Sequence, residues 1–504
     1  MTVTDLASAE WAPPRRHRQR WRLFLPVPKL SRALLAGLLS ALVLAPLYAD
    51  TSRWLGLGIA LTTFVLVHGA SAAYVAPWVP GAMALGACVQ WVLAPWFVYI
   101  LQDNFAIPPM VVPPDQYFTF AVPSALAYVV GLYLPIWRRG AAARAATESV
   151  PVALAPRLQA TCEAMVVGGV ALRLIVLPAA PYSLRFALYL ASLLAFVGAM
   201  ALCIMATKGW YLRLMAVLAV SALDNAASLQ FLELLLWCAC IGLVICYRYR
   251  PRPSTVLALL GPGLLLFTAI NAFKMLHREE VKGMSLESRE RAALTSTAVL
   301  ELARDPSTAL GTSNLVATVS RLNEGFVTTR LLAWTPAAEP FAQGETVVAA
   351  FRAALVPRVL DPGKYVAGGA EIVPRFTGIS LINGTSISLS IPGEMYANFG
   401  LAGAWIGTFL FGVMLGRIYG FFARRASAAP VWWAWMPLIL FGSLSAEQSV
   451  GEIVNSISKA LLVMLVAIRL LPGWRSLPRS VRAQRAGRMI SKPFPVAATA
   501  AAGD

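Results

Sequence analysis

The stretch Ile391-Pro-Gly-Glu-Met-Tyr-Ala-Asn-Phe-Gly400 decides how this chain is read. It is a polar run that opens directly into an apolar segment with regularly spaced glycines. It also closes a long polar loop, residues 276–395, which interrupts an otherwise hydrophobic sequence. Apolar stretches lie on both sides of the loop, at approximately 33–50, 54–77, 80–101, 116–137, 161–180, 184–206, 209–227, 228–247, 254–275, 396–418, 430–449 and 455–472. Runs of about 20 apolar residues read as membrane spans, because in lipid each backbone polar group must be bonded within its own helix. The pattern predicts an all-α polytopic membrane protein with about 12 transmembrane helices and one large extracytoplasmic loop.

Composition agrees with this reading. Of the 504 residues, 58% are hydrophobic and 13% charged, whereas a soluble globular protein carries about 25% charged residues. The net charge of +18 sits largely in the flanks: Arg15 to Arg32 in the segment 1–32, and Arg475 to Lys492 in the tail 473–504. Arg138-Arg139, Arg248 with Arg250, and Arg424-Arg425 follow the fourth, eighth and tenth stretches. The positive-inside rule then places both termini of a multi-pass membrane protein in the cytoplasm and the long loop outside: periplasmic in a Gram-negative cell, extracytoplasmic otherwise. No nucleic-acid motif accompanies the charge, so nucleic acid is not an expected partner. The six cysteines (Cys88, Cys162, Cys203, Cys238, Cys240 and Cys246) lie in or beside apolar segments, so no disulfide is expected in the loop. There is no Walker loop, dinucleotide fingerprint or metal-ligand spacing, which argues against a cytoplasmic nucleotide-driven enzyme and predicts no metal and no cofactor.

The loop carries its own helical patterns. Glu287 to Ala303 has apolar residues near one face, and Glu345 to Leu360 reads as a helix broken at Pro357. Short helices lying on the membrane surface suit these patterns better than an independent domain. Arg321, Arg330, Arg352, Arg358, Lys364 and Arg375 spread over the second half of the loop. A planar guanidinium suits phosphate oxygens. The alternative is that these are solvated charges balanced by nearby acids. Glu394 opens the tenth stretch, where it could stabilise a helix N-terminus or act as a general base on a sugar hydroxyl. Tyr396 and Asn398 offer interface anchoring or sugar hydrogen bonds. Glu447 is the second candidate for a base. Arg173, Arg213, Asp224 and Glu233 are costly inside spans; the arginines could hold phosphate or pair with the acids. Gly403, Gly407, Gly412 and Gly416 form pairs four apart that let helices approach closely.

The segment Leu355-Val-Pro-Arg-Val-Leu-Asp-Pro-Gly-Lys364, the exit Pro392-Gly-Glu-Met-Tyr-Ala-Asn-Phe-Gly-Leu-Ala-Gly403 and the late large loop resemble the O-antigen and oligosaccharide repeat-unit polymerases of the Wzy type. The match is strongest over residues 350–420 and architectural elsewhere. The resemblance implies a GT-C-like, metal-independent membrane glycosyltransferase. It would transfer a glycan from undecaprenyl diphosphate onto a lipid-linked repeat unit at the periplasmic face. Arg352, Arg358 and Lys364 would stabilise the leaving diphosphate, with Glu394 as candidate base. Membrane lipids, a chain-length regulator and a flippase of the same pathway are the implied partners. An O-antigen ligase would use the same donor, but would be expected to carry a functional loop histidine, and His277 at the start is the only loop histidine. A transporter for lipid-linked sugars would be expected to have a smaller external loop.

Overall fold

The computed structural model describes residues 27–137, 155–228, 231–258, 261, 263, 268, 311–356, 361, 369–381 and 387–477. Among these residues every regular element is helical. Eight helices among the described residues are long and apolar enough to cross a membrane, so this is a helical membrane protein. They are α2 (Trp54–Ala72), α3 (Val79–Leu101), α4 (Pro114–Trp137), α5 (Ala155–Ala179), α6 (Leu184–Met205), α8 (Phe231–Tyr249), α13 (Ile391–Ala426) and α14 (Val450–Leu470). The shorter α1 (Val27–Val43) packs along α2, and α7 (Trp210–Ser228) carries Arg213 and Asp224. Within the loop lie α9 (Thr312–Leu322), α10 (Gly325–Trp334), α11 (Glu345–Leu355) and α12 (Ile372–Thr377). Helix α11 stops two residues before Pro357, where a missing N–H and ring clash would break it. The expected helix at 287–303 and most of the expected span at 254–275 fall outside the described residues.

The expected span at 430–449 is not one helix. It runs as a 3-10 turn (Pro430–Trp435), a short α segment (Met436–Leu440) and a second 3-10 turn (Phe441–Ser443). Pro430 and Pro437 each remove a backbone donor, and the Gly442-Ser443-Leu444-Ser445 run favours turns. Its hydrophobicity serves the protein interior. Trp432, Trp433 and Trp435 are buried, Trp474 meets Trp432 and Trp435 edge-on, and Trp237 stacks between Phe196 and Phe441.

Two helices are interrupted where the loop meets the bundle. Helix α3 widens into a π-turn at Val89–Leu93, in which Ala94 N–H bonds Val89 O. Pro95 cannot donate to Trp91 O, so the carbonyls of Gln90 and Trp91 are left for other partners. Helix α13 bends at Gly400, whose φ of 70° lies in the left-handed region open to glycine. Gly407 and Gly403 then face Met395 and Phe399, so closely that a Cβ would collide. Further along, Gly412 and Gly416 press against the backbone of α4 at Tyr128 and Leu132. The four glycines therefore divide into a seat for the bend and a helix-packing pair. A Gly416→Val variant should separate α4 from α13 at a cost of about 1–3 kcal/mol, typical of overpacking. Thermal unfolding in detergent checks this: an unchanged Tm would contradict the close approach.

Candidate functional site

Glu394 is buried, and both its carboxylate oxygens are engaged. Oε1 accepts from Thr346 Oγ1 at 3.0 Å, and Oε2 accepts from Val450 N at 2.8 Å. Val450 is the first residue of α14, so the carboxylate sits on the positive end of that helix. Asn398 completes a clasp. Its Nδ2 donates to Thr346 Oγ1 and Glu394 O at 2.7 and 2.8 Å, and its Oδ1 accepts from Gly344 N at 3.0 Å. The bend at Gly400 frees the carbonyls of Ala397 and Asn398, which accept from Ala342 N and Gln343 N at 3.0 and 2.9 Å. Tyr396 donates to Thr335 O at 3.1 Å between the edge-on rings of Phe120 and Phe341. Glu394, Tyr396 and Asn398 thus join the loop to α13 and α14. The helix-terminus reading of Glu394 describes its contacts.

A second group of charges lies at the other loop helices. Asn323 closes the turn between α9 and α10 by accepting Gly325 N at 2.9 Å through its side chain. This turn presents Glu324, whose backbone N–H bonds the freed Gln90 O at 3.2 Å. The other freed carbonyl, Trp91 O, accepts Tyr117 OH at 2.8 Å. Gln90 Oε1 accepts Ala446 N at 2.7 Å, and Trp91 Nε1 donates to Ala446 O at 3.0 Å. The π-turn thereby fixes Glu324 and the neighbour of Glu447 at one place. Arg321 grips Glu447 with two donors, at 2.7 and 3.3 Å. Glu452 Oε2 accepts Ser388 Oγ at 2.7 Å and Ser449 N at 2.8 Å in the capping box of α14.

Glu324 differs from its neighbours. The residue is 7% exposed, and its side chain takes no hydrogen bond among the described residues. Burial first, and then the Glu447 carboxylate, raise its carboxyl well above the usual carboxylate range, against the opposing pull of Arg321. Such a group exchanges a proton near neutral pH. The side chain of Arg321 is 50% exposed and that of Glu447 19%, so the cluster reaches the surface. Asn323-Glu-Gly has the composition of an ordinary turn, so nothing in that turn marks Glu324. The nearby signal was Arg321 three residues before it; Gln90 and Ala446 are too distant in sequence to be seen.

The loop cations separate by partner. Arg375 Nε lies 2.6 Å from Glu339 and its Nη1 3.0 Å from Glu345, and Arg352 Nε lies 2.9 Å from Asp361. Arg330 stacks over Phe326 at 5.3 Å, and its buried Nε has no acceptor among the described residues. Of the four expected cations that are described, it alone has no acidic partner among the described residues. Arg358 and Lys364 lie outside the described residues. Among the described residues, no group of three or more His, Cys, Asp or Glu is placed to hold a metal ion. Farther away, Arg173 in a π-turn of α5 meets Asp224 at 2.6 Å and Glu233 at 3.4 Å and lies over the Tyr189 ring. Arg213 pairs with Glu163 at 2.8 Å.

Fold and site define a helical membrane protein in which loop helices are bonded into the breaks of membrane helices. The chain belongs to the DUF8712 family, described as a domain of unknown function, which matches residues 158–473. That match covers more than half of the chain and includes Glu324, Arg330, Glu394, Glu447 and Glu452. No curated protein and no solved structure matches it.

Replacing Glu394 with Ala should leave Val450 N and Thr346 without their acceptor in a buried place. Each orphaned group costs about 1–3 kcal/mol. Glu394→Gln keeps one acceptor oxygen and should lose less. Comparing the Tm of both variants tests this, and equal, wild-type stability would remove the clasp from the account.

Proposed function

We propose that this protein is an oligosaccharide repeat-unit polymerase. It would transfer a glycan from undecaprenyl diphosphate onto a lipid-linked repeat unit at the outer face of the bacterial inner membrane. In this reading both termini are cytoplasmic and α9–α12 lie on the periplasmic side. The observation that carries it is the carboxyl of the 7%-exposed Glu324, which takes no hydrogen bond among the described residues, set beside the Arg321–Glu447 pair on a helix that also bears Arg330, whose buried Nε has no acceptor among those residues. Glu324 stands at the N-cap of α10 and Arg330 lies six residues on, about 9 Å along the axis at 1.5 Å per residue.

Chemically, the ionised Glu324 takes the proton of the acceptor hydroxyl as that oxygen attacks the anomeric carbon of the donor. The bond from that carbon to the diphosphate oxygen breaks, and the charge that develops on the diphosphate is met by Arg330. The Arg321–Glu447 pair holds its own charges in place and sets the field around Glu324. Glu394 acts here as a positioning residue.

Transfer from a purified lipid-linked repeat unit tests the reading. Glu324→Gln should lower the rate by at least about 100-fold, in keeping with loss of a general base. Arg330→Ala should lower it while membrane abundance stays normal. Because the Glu324 carboxyl is raised, its base form fills only above the ordinary carboxylate range. The wild-type rate should therefore climb with pH through that higher window, and Glu324→Gln should flatten the climb. Normal polymer from both variants would sink this assignment. Transfer to a different acceptor would instead indicate a ligase. The intramembrane group Arg173–Asp224–Glu233 favours a second reading, a lipid-linked oligosaccharide transporter. Movement of the lipid-linked unit across liposomes without chain growth would select it.

A further inference from the structure

Helix α11 has two unlike faces. Thr346 and Ala350 are buried against the bundle. Val348, Phe351, Arg352 and Leu355 recur at helical spacing and are exposed by 68%, 38%, 67% and 72% respectively. An apolar face of this kind in a loop segment needs a cover.

We infer that this face lies in the lipid leaflet, with Arg352 on the phosphate of an anionic phospholipid. Three observations identify the occupant. The most extensive contact of α11 is with α14, a helix long and apolar enough to span the membrane. The first half of α14, from Val450 to Leu461, has no exposed residue, whereas its second half exposes Leu462, Leu465, Val466 and Leu470. Helix α11 thus covers part of α14, and its outer face continues the apolar surface that α14 presents farther down. On the other side, Gly344, just before α11, packs on Phe399. Phe399 is exposed and leads to the exposed Leu401, Ile406 and Leu410 of α13.

The guanidinium completes the argument. Asp361 takes Arg352 Nε, and the two Nη groups have no partner among the described residues. A planar fork on a flexible stem can bury its methylenes beside Val348 and Leu355 while its head meets a phosphate. Arg352 then serves membrane attachment and not the leaving diphosphate that the sequence resemblance assigned to it. Helix α11 also carries Thr346, so its seat in the leaflet supports the Glu394 clasp.

Spin labels test the position in the full-length protein, reconstituted in phosphatidylcholine liposomes containing phosphatidylglycerol. Labels are placed one at a time at V348C, L355C and, for comparison, A338C, with the exposed Cys238 replaced by Ser. Oxygen should reach positions 348 and 355, while a water-soluble nickel chelate should be excluded there and reach 338. A chelate that reaches all three equally overturns the proposal. Native mass spectrometry tests Arg352. The wild type should retain phosphatidylglycerol over phosphatidylcholine, Arg352→Gln should lose at least about half of that retention, and Arg352→Lys should recover part of it. Unchanged retention in Arg352→Gln overturns the assignment. So does loss of undecaprenyl diphosphate binding with phosphatidylglycerol retained, which would give this face to the carrier. Neither readout depends on catalysis, so failure here leaves the proposed reaction standing.

Discussion

A break in an apolar helix frees backbone polar groups in a place where water cannot take them up, and the rest of this structure follows from that constraint. At Gly400 the carbonyls of Ala397 and Asn398 are released, and Ala342 and Gln343 of the loop bind them. At the π-turn of α3, Gln90 O and Trp91 O are released, and Glu324 N–H and Tyr117 OH bind them. At the start of α14, the orphan N–H of Val450 is taken by Glu394. The loop is therefore held to the bundle by the donors and acceptors that the broken helices leave open.

This attachment explains where the titratable groups collect. Each break needs polar partners, and the loop supplies most of them in short turns that also carry charge. Glu394 and Glu452 each spend one oxygen on the N-terminus of α14. Glu447 spends both of its oxygens on Arg321. Among the described residues Glu324 is bonded only through its backbone, so the attachment buries the residue without using its carboxyl. A group in that state retains the capacity to exchange a proton, which is what the proposed transfer requires. Arg330 is the corresponding case among the cations.

Much of the architecture was legible from hydropathy, because apolar runs of membrane length have few alternatives. The run at 430–449 misled that reading. Its tryptophans pack inside the protein, and hydropathy cannot tell an apolar interior from lipid. The glycine pairs were legible as packing residues, but only the bend at Gly400 shows that Gly403 and Gly407 seat side chains of their own helix. Glu394 carried both a structural and a chemical meaning in sequence, and its two hydrogen bonds describe the structural one. Glu324 was hidden for a different reason. Its environment is made by Gln90 and Glu447, far away in sequence, and burial of a turn acid leaves no local pattern.

The proposed reaction depends on where a lipid-linked donor rests. A cryo-EM structure of the protein with undecaprenyl diphosphate-linked oligosaccharide would test this most directly. The account predicts a diphosphate within hydrogen-bond reach of Arg330 and the acceptor side of the glycan beside Glu324. A donor bound at the Arg173–Asp224–Glu233 group, with Glu324 and Arg330 untouched, would contradict it.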